Sequence, residues 1–243
     1  MRDYKHEMEK RVGFIHKQLE ESGAGGIVFG NSGGKDSVLV GILCKLACDN
    51  TVGVIMPCSS EINYGADMDD AILVSEMYKI EKRQVDLTKT AEAIKNALSE
   101  VTKLTTAAEI NIAPRLRMTA LYAIAASENR LVAGTGNRSE RYMGYFTKWG
   151  DGAFDFNPIA DLTATETYEF LRHLNAPKQI IQKAPSAGLY KGQTDESDMG
   201  VTYRAIDEYL KTGIANPKDA EVITRYHKTS EHKRNPPMVY KDK

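Results

Sequence analysis

The sequence predicts an α/β protein: a doubly wound, open parallel β-sheet with helices on both faces. Two observations predict it. Short apolar runs alternate with helix-period segments from the N-terminal region to Ala133, the pattern of a parallel sheet covered on both sides. The first of those runs, Ile27 to Phe29, leads through a turn rich in glycine and serine directly into a helix. Ligands of such open sheets bind at the carboxyl ends of the strands, so this turn is where function is expected.

The elements follow in order. Met8, Val12, Ile15 and Leu19 recur at helical spacing and predict an amphipathic first helix, ended by Gly23 to Gly26. Ile27 to Phe29 is a buried strand, and Ser37 to Cys48 returns to helix. Val52 to Met56 is a second strand, followed by a helix over Ala66 to Tyr78. Gln84 to Leu87 is a weaker third strand, and Ala91 to Val101 a further helix. Asn111 to Ser127, rich in alanine and leucine, is helical, and Leu131 to Ala133 is a fourth strand. Beyond Gly144 the pattern changes. Glycine, aspartate and proline crowd Gly150 to Pro158 and Pro185 to Gly192, predicting two loops of functional length. Thr163 and Glu166 have capping-box spacing for a helix running to Leu174. Helices over Tyr203–Leu210 and Pro217–His227 precede a basic tail. No internal repeat or linker is visible, so one domain over 1–243 is expected.

Composition narrows the partners. Lysine plus arginine (32) nearly balances aspartate plus glutamate (33), a net charge of -1. Nonspecific nucleic-acid binding needs a strong positive field, so no nucleic-acid partner is expected. Met1 to Arg11 is densely charged and lacks the apolar stretch of a secretory signal. Val38 to Cys44, the longest apolar run, is far short of a membrane span, so no membrane partner is expected either. Cys44, Cys48 and Cys58 do not form a disulfide framework, which points to a cytoplasmic location. Cys44 and Cys48 lie four apart on a predicted helix and read as core residues, because no histidine or further cysteine near them completes a zinc set.

The segment Ser32-Gly33-Gly34-Lys35-Asp36-Ser37 carries the chemistry. A helix N-terminus offers unpaired N–H groups and partial positive charge to an anion. Gly33 and Gly34 let the backbone approach phosphate oxygens, Ser32 and Ser37 add hydroxyls, and Asp36 is placed to hold a magnesium ion against those oxygens. A Walker A loop does not fit. Gly30 to Gly34 is one residue too short, and Asp36 stands where serine or threonine should follow the lysine.

Ser32 to Ser37 resembles the pyrophosphatase loop of the N-type ATP pyrophosphatases, which split ATP between its α- and β-phosphates on an adenine nucleotide alpha hydrolase-like fold. Further motifs follow: Gly134-Thr135-Gly136-Asn137-Arg138-Ser139-Glu140, then Gly144-Tyr145-Phe146-Thr147-Lys148-Trp149-Gly150-Asp151-Gly152. Asp155, Asn157-Pro158-Ile159, Asp161-Leu162, Pro185-Ser186-Ala187-Gly188-Leu189, Gly192-Gln193-Thr194-Asp195-Glu196 and His232-Lys233-Arg234 complete the series. In this order they are similar to the NAD synthetase family over essentially the whole chain. The resemblance implies a ligase that amidates deamido-NAD with free ammonia and ATP, without the glutaminase domain of glutamine-dependent relatives, and as a homodimer.

The resemblance also implies roles. Gly30, Asn31, Ser32, Gly33, Gly34, Lys35, Asp36 and Ser37 bind the ATP phosphates, with Thr135 and Ser186 as further ATP contacts. Asp36 and Glu140 form the magnesium site. Arg115, Lys148, Asp155, His232 and Lys233 contact deamido-NAD, and Asp36, Glu140 and Lys148 carry catalysis. Apart from the resemblance, ammonium must lose a proton before it attacks, and Asp151 or Asp155 is the expected acceptor, a choice the sequence leaves open. One position departs from the family: a lysine usual shortly after the Asp-Leu pair is here Ala164, and Lys35 or Lys191 is expected to supply the missing charge. The alternatives are a tRNA-thiolating pyrophosphatase, disfavoured by the net charge and cysteine spacing, and a non-catalytic nucleotide-binding module.

Overall fold

The computed structural model describes residues 2–58, 65–183, 185–186 and 194–240. Helix α1 (Tyr4–Ser22) leads into β1 (Gly26–Gly30), α2 (Lys35–Ala47), β2 (Thr51–Ile55), α3 (Ala66–Met77) and β3 (Glu81–Gln84). Helices α4 (Thr88–Ser99), α5 (Thr106–Ile110) and α6 (Ile112–Glu128) precede β4 (Arg130–Ala133). The remainder is helical: α7 (Arg138–Met143), α8 (Ala164–His173), α9 (Lys178–Gln182), α10 (Asp195–Met199), α11 (Tyr203–Thr212), α12 (Pro217–Thr229) and α13 (Glu231–Arg234).

The sheet is parallel, in the order β3-β2-β1-β4. Val28 stands opposite Val52 on one side and Val132 on the other. The chain therefore builds outward from β1 to β3 and then returns to the far side of β1. That reversal opens a crevice between the carboxyl ends of β1 and β4, where α/β sheets hold their ligands.

Alternation along β1 feeds two cores. Ile27 and Phe29 point into a cluster with α1, α2 and α8 residues such as Ile15, Leu39 and Phe170, whereas Val28 joins Val52, Val54 and Val132 under α6. Phe29, 1% exposed, occupies a slot that two glycines leave open. A Cβ on Gly41 would lie 2.6 Å from its ring, and one on Gly53 3.1 Å. Burying such a ring contributes about 2 kcal/mol. A third cluster, with Met143, Ala164, Met199, Ile206 and Ile223, holds α7, α8, α11 and α12 together.

Most predicted elements appear near their expected places, but the short helices α7, α9 and α10 were not predicted, and three further differences stand out. The third strand is Glu81–Gln84, earlier than the apolar Gln84 to Leu87. It is an edge strand held by backbone pairing to β2, which demands no apolar pattern. The helix expected over Asn111 to Ser127 is joined to a separate α5 at Asn111. The basic tail carries a short helix, α13. The Thr163–Glu166 capping box is present, and a second one joins Asn137 and Glu140. Among the described residues no helix is long and apolar enough to cross a membrane.

Candidate active site

A cavity of about 850 Å³ opens at the crevice between β1 and β4. Its floor is the turn from β1 into α2. Gly33 takes φ +71, and a Cβ there would sit 2.3 Å from the Asp67 carbonyl oxygen. Only glycine allows that left-handed turn while α3 packs directly behind it. Gly34 caps α2 with no side-chain hydrogen bond, so the first-turn amides keep the open donors of a helix start. Ser32 Oγ and Ser37 Oγ lie 3.0 Å apart, and Ser37 Oγ donates to the Gly34 carbonyl at 3.0 Å.

Asn31 borders the cavity, but its side chain is turned away from it. Its Nδ2 donates to the Ala71 carbonyl and Ser75 Oγ, both at 3.1 Å, and its Oδ1 accepts from Gly33 N. It braces the turn against α3. Asn31 thus lies in the expected loop and lines the cavity, while its side-chain hydrogen bonds go to α3 and to Gly33 N.

Lys35 is 6% exposed. Its ammonium contacts Asp36 and lies 3.8 Å from Glu140 Oε1, with the Tyr168 and Tyr203 rings 5.7 and 5.5 Å away. Burial works against its charge, but the two carboxylates more than offset this and raise its pKa. Glu140 is fixed by its capping box: Oε2 accepts from Asn137 N at 3.1 Å, and Asn137 Oδ1 accepts from Glu140 N at 3.0 Å. The same Asn137 donates through Nδ2 to Asp36 at 3.3 Å. Burial, then the neighbouring Asp36, push the Glu140 carboxyl well above the usual carboxylate range. Thus the turn after β1 and the turn after β4 each contribute one carboxylate, with an ammonium between them.

Thr135 and Ser186 line the same cavity. The other predicted contacts divide. Lys233 lines it and donates to the Gly144 and Phe146 carbonyls, both at 2.8 Å. Arg115, Lys148 and His232 form a rim cluster instead. Arg115 donates to the Lys148 carbonyl at 3.4 Å, and Lys148 Nζ donates to the His232 carbonyl at 2.7 Å. Lys148 also lies 5.4 Å from the Trp149 ring. Lys191 falls outside the described residues, as does 187–193 of the second predicted loop.

Asp155 is placed elsewhere. Its Oδ2 accepts from Val132 N at 2.7 Å and its Oδ1 from Tyr122 Oη at 3.2 Å. It anchors the segment that runs along the outer edge of β4, where Phe156 bridges Ala133 and Asp155 N donates to the Val132 carbonyl, and it is not among the residues lining the cavity. Asp151, in contrast, lines the cavity. It is open to cavity solvent yet ringed by protein, which pushes its carboxyl above the usual range. Ala164 is 1% exposed inside the third cluster, with its N–H donating to Ser139 Oγ at 3.1 Å.

Sequence reasoning missed Arg117, Lys183, Tyr168 and Tyr203. Arg117 lines the cavity and donates from Nε to the Met56 carbonyl at 3.0 Å. A signal existed: Arg117, Leu121 and Ala125 share one face of α6 at four-residue spacing, and Arg115 does not. For Lys183 and the tyrosines no local pattern pointed inward.

A switch-point crevice floored by a glycine turn, beside two carboxylates bridged by lysine, defines an α/β enzyme that binds a nucleotide phosphate. Comparisons make the class specific. The NAD synthase family matches residues 7–237. The NH(3)-dependent NAD(+) synthetase of Carboxydothermus hydrogenoformans is 44% identical, covering 98% of each chain. Among solved structures, NMN synthetase from Francisella tularensis superposes with a TM-score of 0.93 at 38% identity, covering 99% of each chain. The NH3-dependent NAD synthetase from Campylobacter jejuni superposes with a TM-score of 0.82 at 29% identity, over 99% of this chain and 100% of that one. The chain belongs to the NAD synthase family and is a ligase.

Proposed function

We propose that the family's reaction, ATP-dependent amidation of deamido-NAD by ammonia to give NAD, runs in this cavity through an acyl-adenylate. A carboxylate is a poor acyl donor because oxide is its leaving group. Attack of the nicotinate carboxylate on the α-phosphorus replaces that group with AMP and expels pyrophosphate; ammonia then displaces AMP. The observation that carries the reading is the Lys35-bridged pair of Asp36 and Glu140 beside the phosphate turn.

The turn's amides, with Ser32 and Ser37, hold the outer phosphates, and Lys35 faces the charge that builds as they depart. This gives Lys35 the duty expected of it in the absence of a lysine at 164. Asp36 and Glu140 fit magnesium, which usually takes one or two carboxylates and completes its shell with phosphate and water. Among the described residues no group of three or more His, Cys, Asp or Glu converges on one point, so these two would hold the ion together with substrate. When bound, the ion neutralises charge on the leaving pyrophosphate. Asp151 is the proton acceptor for ammonium, because Asp155 is taken up by β4. Arg115, Lys148 and His232 on the rim, with Lys233 inside, receive the dinucleotide. A cytoplasmic homodimer is part of the same reading.

A second reading has a mononucleotide as the amidated acid, so that NMN is formed. One observation favours it: the TM-score of 0.93 to an NMN synthetase, against 0.82 to an NAD synthetase. The 44% identity to an NH(3)-dependent NAD(+) synthetase favours the dinucleotide. The test is purified protein with ATP, magnesium and ammonium, given deamido-NAD or the mononucleotide acid separately. NAD, AMP and pyrophosphate in equal amounts are expected. ADP and orthophosphate, or turnover of the mononucleotide alone, overturn the first reading.

A further inference from the structure

Behind the phosphate turn lies an acidic wall. A Cβ on Gly33 would meet the Asp67 carbonyl at 2.3 Å and Asp70 Cβ at 2.9 Å, so the first turns of α3 press directly on the residues that receive phosphate. Asp67 and Asp70 lie three apart on α3 and present their carboxylates to one face. Asp67 lines the cavity itself, and Asp70 is 7% exposed. Two carboxylates in this position repel a polyphosphate entering the cavity.

Lys183, just past α9, answers them. Its Nζ lies 2.6 Å from Asp67 Oδ1 and 2.7 Å from Asp70 Oδ2, and Gln179 Nε2 donates to the other oxygen of Asp70 at 2.6 Å. Lys183 also borders the cavity, near Ser186. Burial works against its charge, but both carboxylates outweigh that and keep it protonated.

We infer that Lys183 is a positioning residue for the triphosphate, which cancels the Asp67–Asp70 charge behind the phosphate turn so that a polyphosphate can dock there. The inference rests on the reading of this cavity as the ATP site. Lys183 acts through the two aspartates, and its removal takes away the ion pair of each, leaving Asp67, among the described residues, only the electrostatic influence of Arg117.

The experiment measures equilibrium binding of magnesium pyrophosphate, a non-hydrolysable ATP analogue and adenosine to the full chain. Lys183→Met is expected to weaken the two phosphate ligands about 10- to 100-fold and adenosine less than about twofold, as an unbalanced local charge should. Lys183→Arg retains the affinity. The triple variant Asp67→Asn, Asp70→Asn, Lys183→Met recovers it to within about threefold, because neither charge then remains. Thermal melts of each variant establish that it is folded. Unchanged pyrophosphate affinity in a folded Lys183→Met overturns the inference, and so does a loss that persists in the triple variant. If the parent chain binds neither phosphate ligand, the reading of the cavity falls first and the inference with it.

Discussion

The ammonium of Lys35 stands 3.8 Å from the Glu140 carboxylate, although the two residues come from the first turns of helices that follow different strands. This contact joins β1 and β4 electrostatically across the crevice where the ligand enters. Lys35→Met leaves Asp36 and Glu140 facing each other, largely buried and without a cation. A loss of about 3–5 kcal/mol in chemical denaturation is expected, as when one partner of a buried pair is removed. Adding Glu140→Gln to the same chain recovers part of it.

Asp36→Asn removes one of the two carboxylates while keeping the shape of the turn. Pyrophosphate release is expected to fall about 100-fold or more, the scale of losing a group that stabilises transition-state charge. The melting temperature falls less than in Lys35→Met, because Glu140 still faces the buried Lys35 ammonium. Rapid-quench detection of labelled pyrophosphate checks the first part, and calorimetry the second.

Gly33→Ala combines a left-handed backbone, φ +71, with a Cβ 2.3 Å from the Asp67 carbonyl. The conformation alone costs about 1–2 kcal/mol, and α3 must shift as well. A lower denaturation midpoint together with a raised KM for ATP is expected. A change in KM without loss of stability would contradict the packing argument.

Ala164→Lys is expected to lower stability by about 1–3 kcal/mol or more, as overpacking does. The methyl group lies among Met143, Met199 and Tyr203, not on the cavity wall. Tyr168, one turn along α8 on the same face, already stands by the Lys35 ammonium. A lysine from 164 would bring a second charge beside the first, so the adenylation rate should not rise. Denaturant midpoints and single-turnover rates decide it.

Asp151 and Asp155 are expected to separate cleanly. Asp155→Ala leaves the Val132 N–H without its acceptor, costing about 1–3 kcal/mol of stability with kcat preserved. Asp151→Asn lowers kcat about 100-fold, the scale of a general base, at little cost in stability. The native Asp151 carboxyl lies above its unfolded value, so its deprotonated form, and the rate, are lost as pH falls through that raised pKa. The stability contribution has the opposite sense: it is present below the unfolded pKa and lost as pH rises through the folded one. Loss of the acidic limb of the rate profile in Asp151→Asn checks the assignment.

The chain's single tryptophan, Trp149, lies on the rim beside Lys148 and is 54% exposed. Titration with deamido-NAD should therefore change the intrinsic emission, and ATP alone should change it much less. Equal responses to both ligands would remove the rim from the dinucleotide site.

What the residues determined unaided was local. Apolar runs mark buried strands, and a strand followed by two glycines and a helix start marks a turn suited to an anion, because each depends on neighbours within a few positions. The parallel sheet and the phosphate turn were therefore legible, whereas Glu140 was marked only by resemblance, and its capping box with Asn137 emerged in the structure. Tertiary structure decided the rest. Asp155 meets Val132 and Tyr122 across 23 and 33 residues, and Lys183 meets Asp70 across 113. Whether a charged side chain faces a strand edge, a cavity or a second charge depends on which distant segment arrives beside it. That choice is made by the packing of whole faces, which no short stretch of chain encodes.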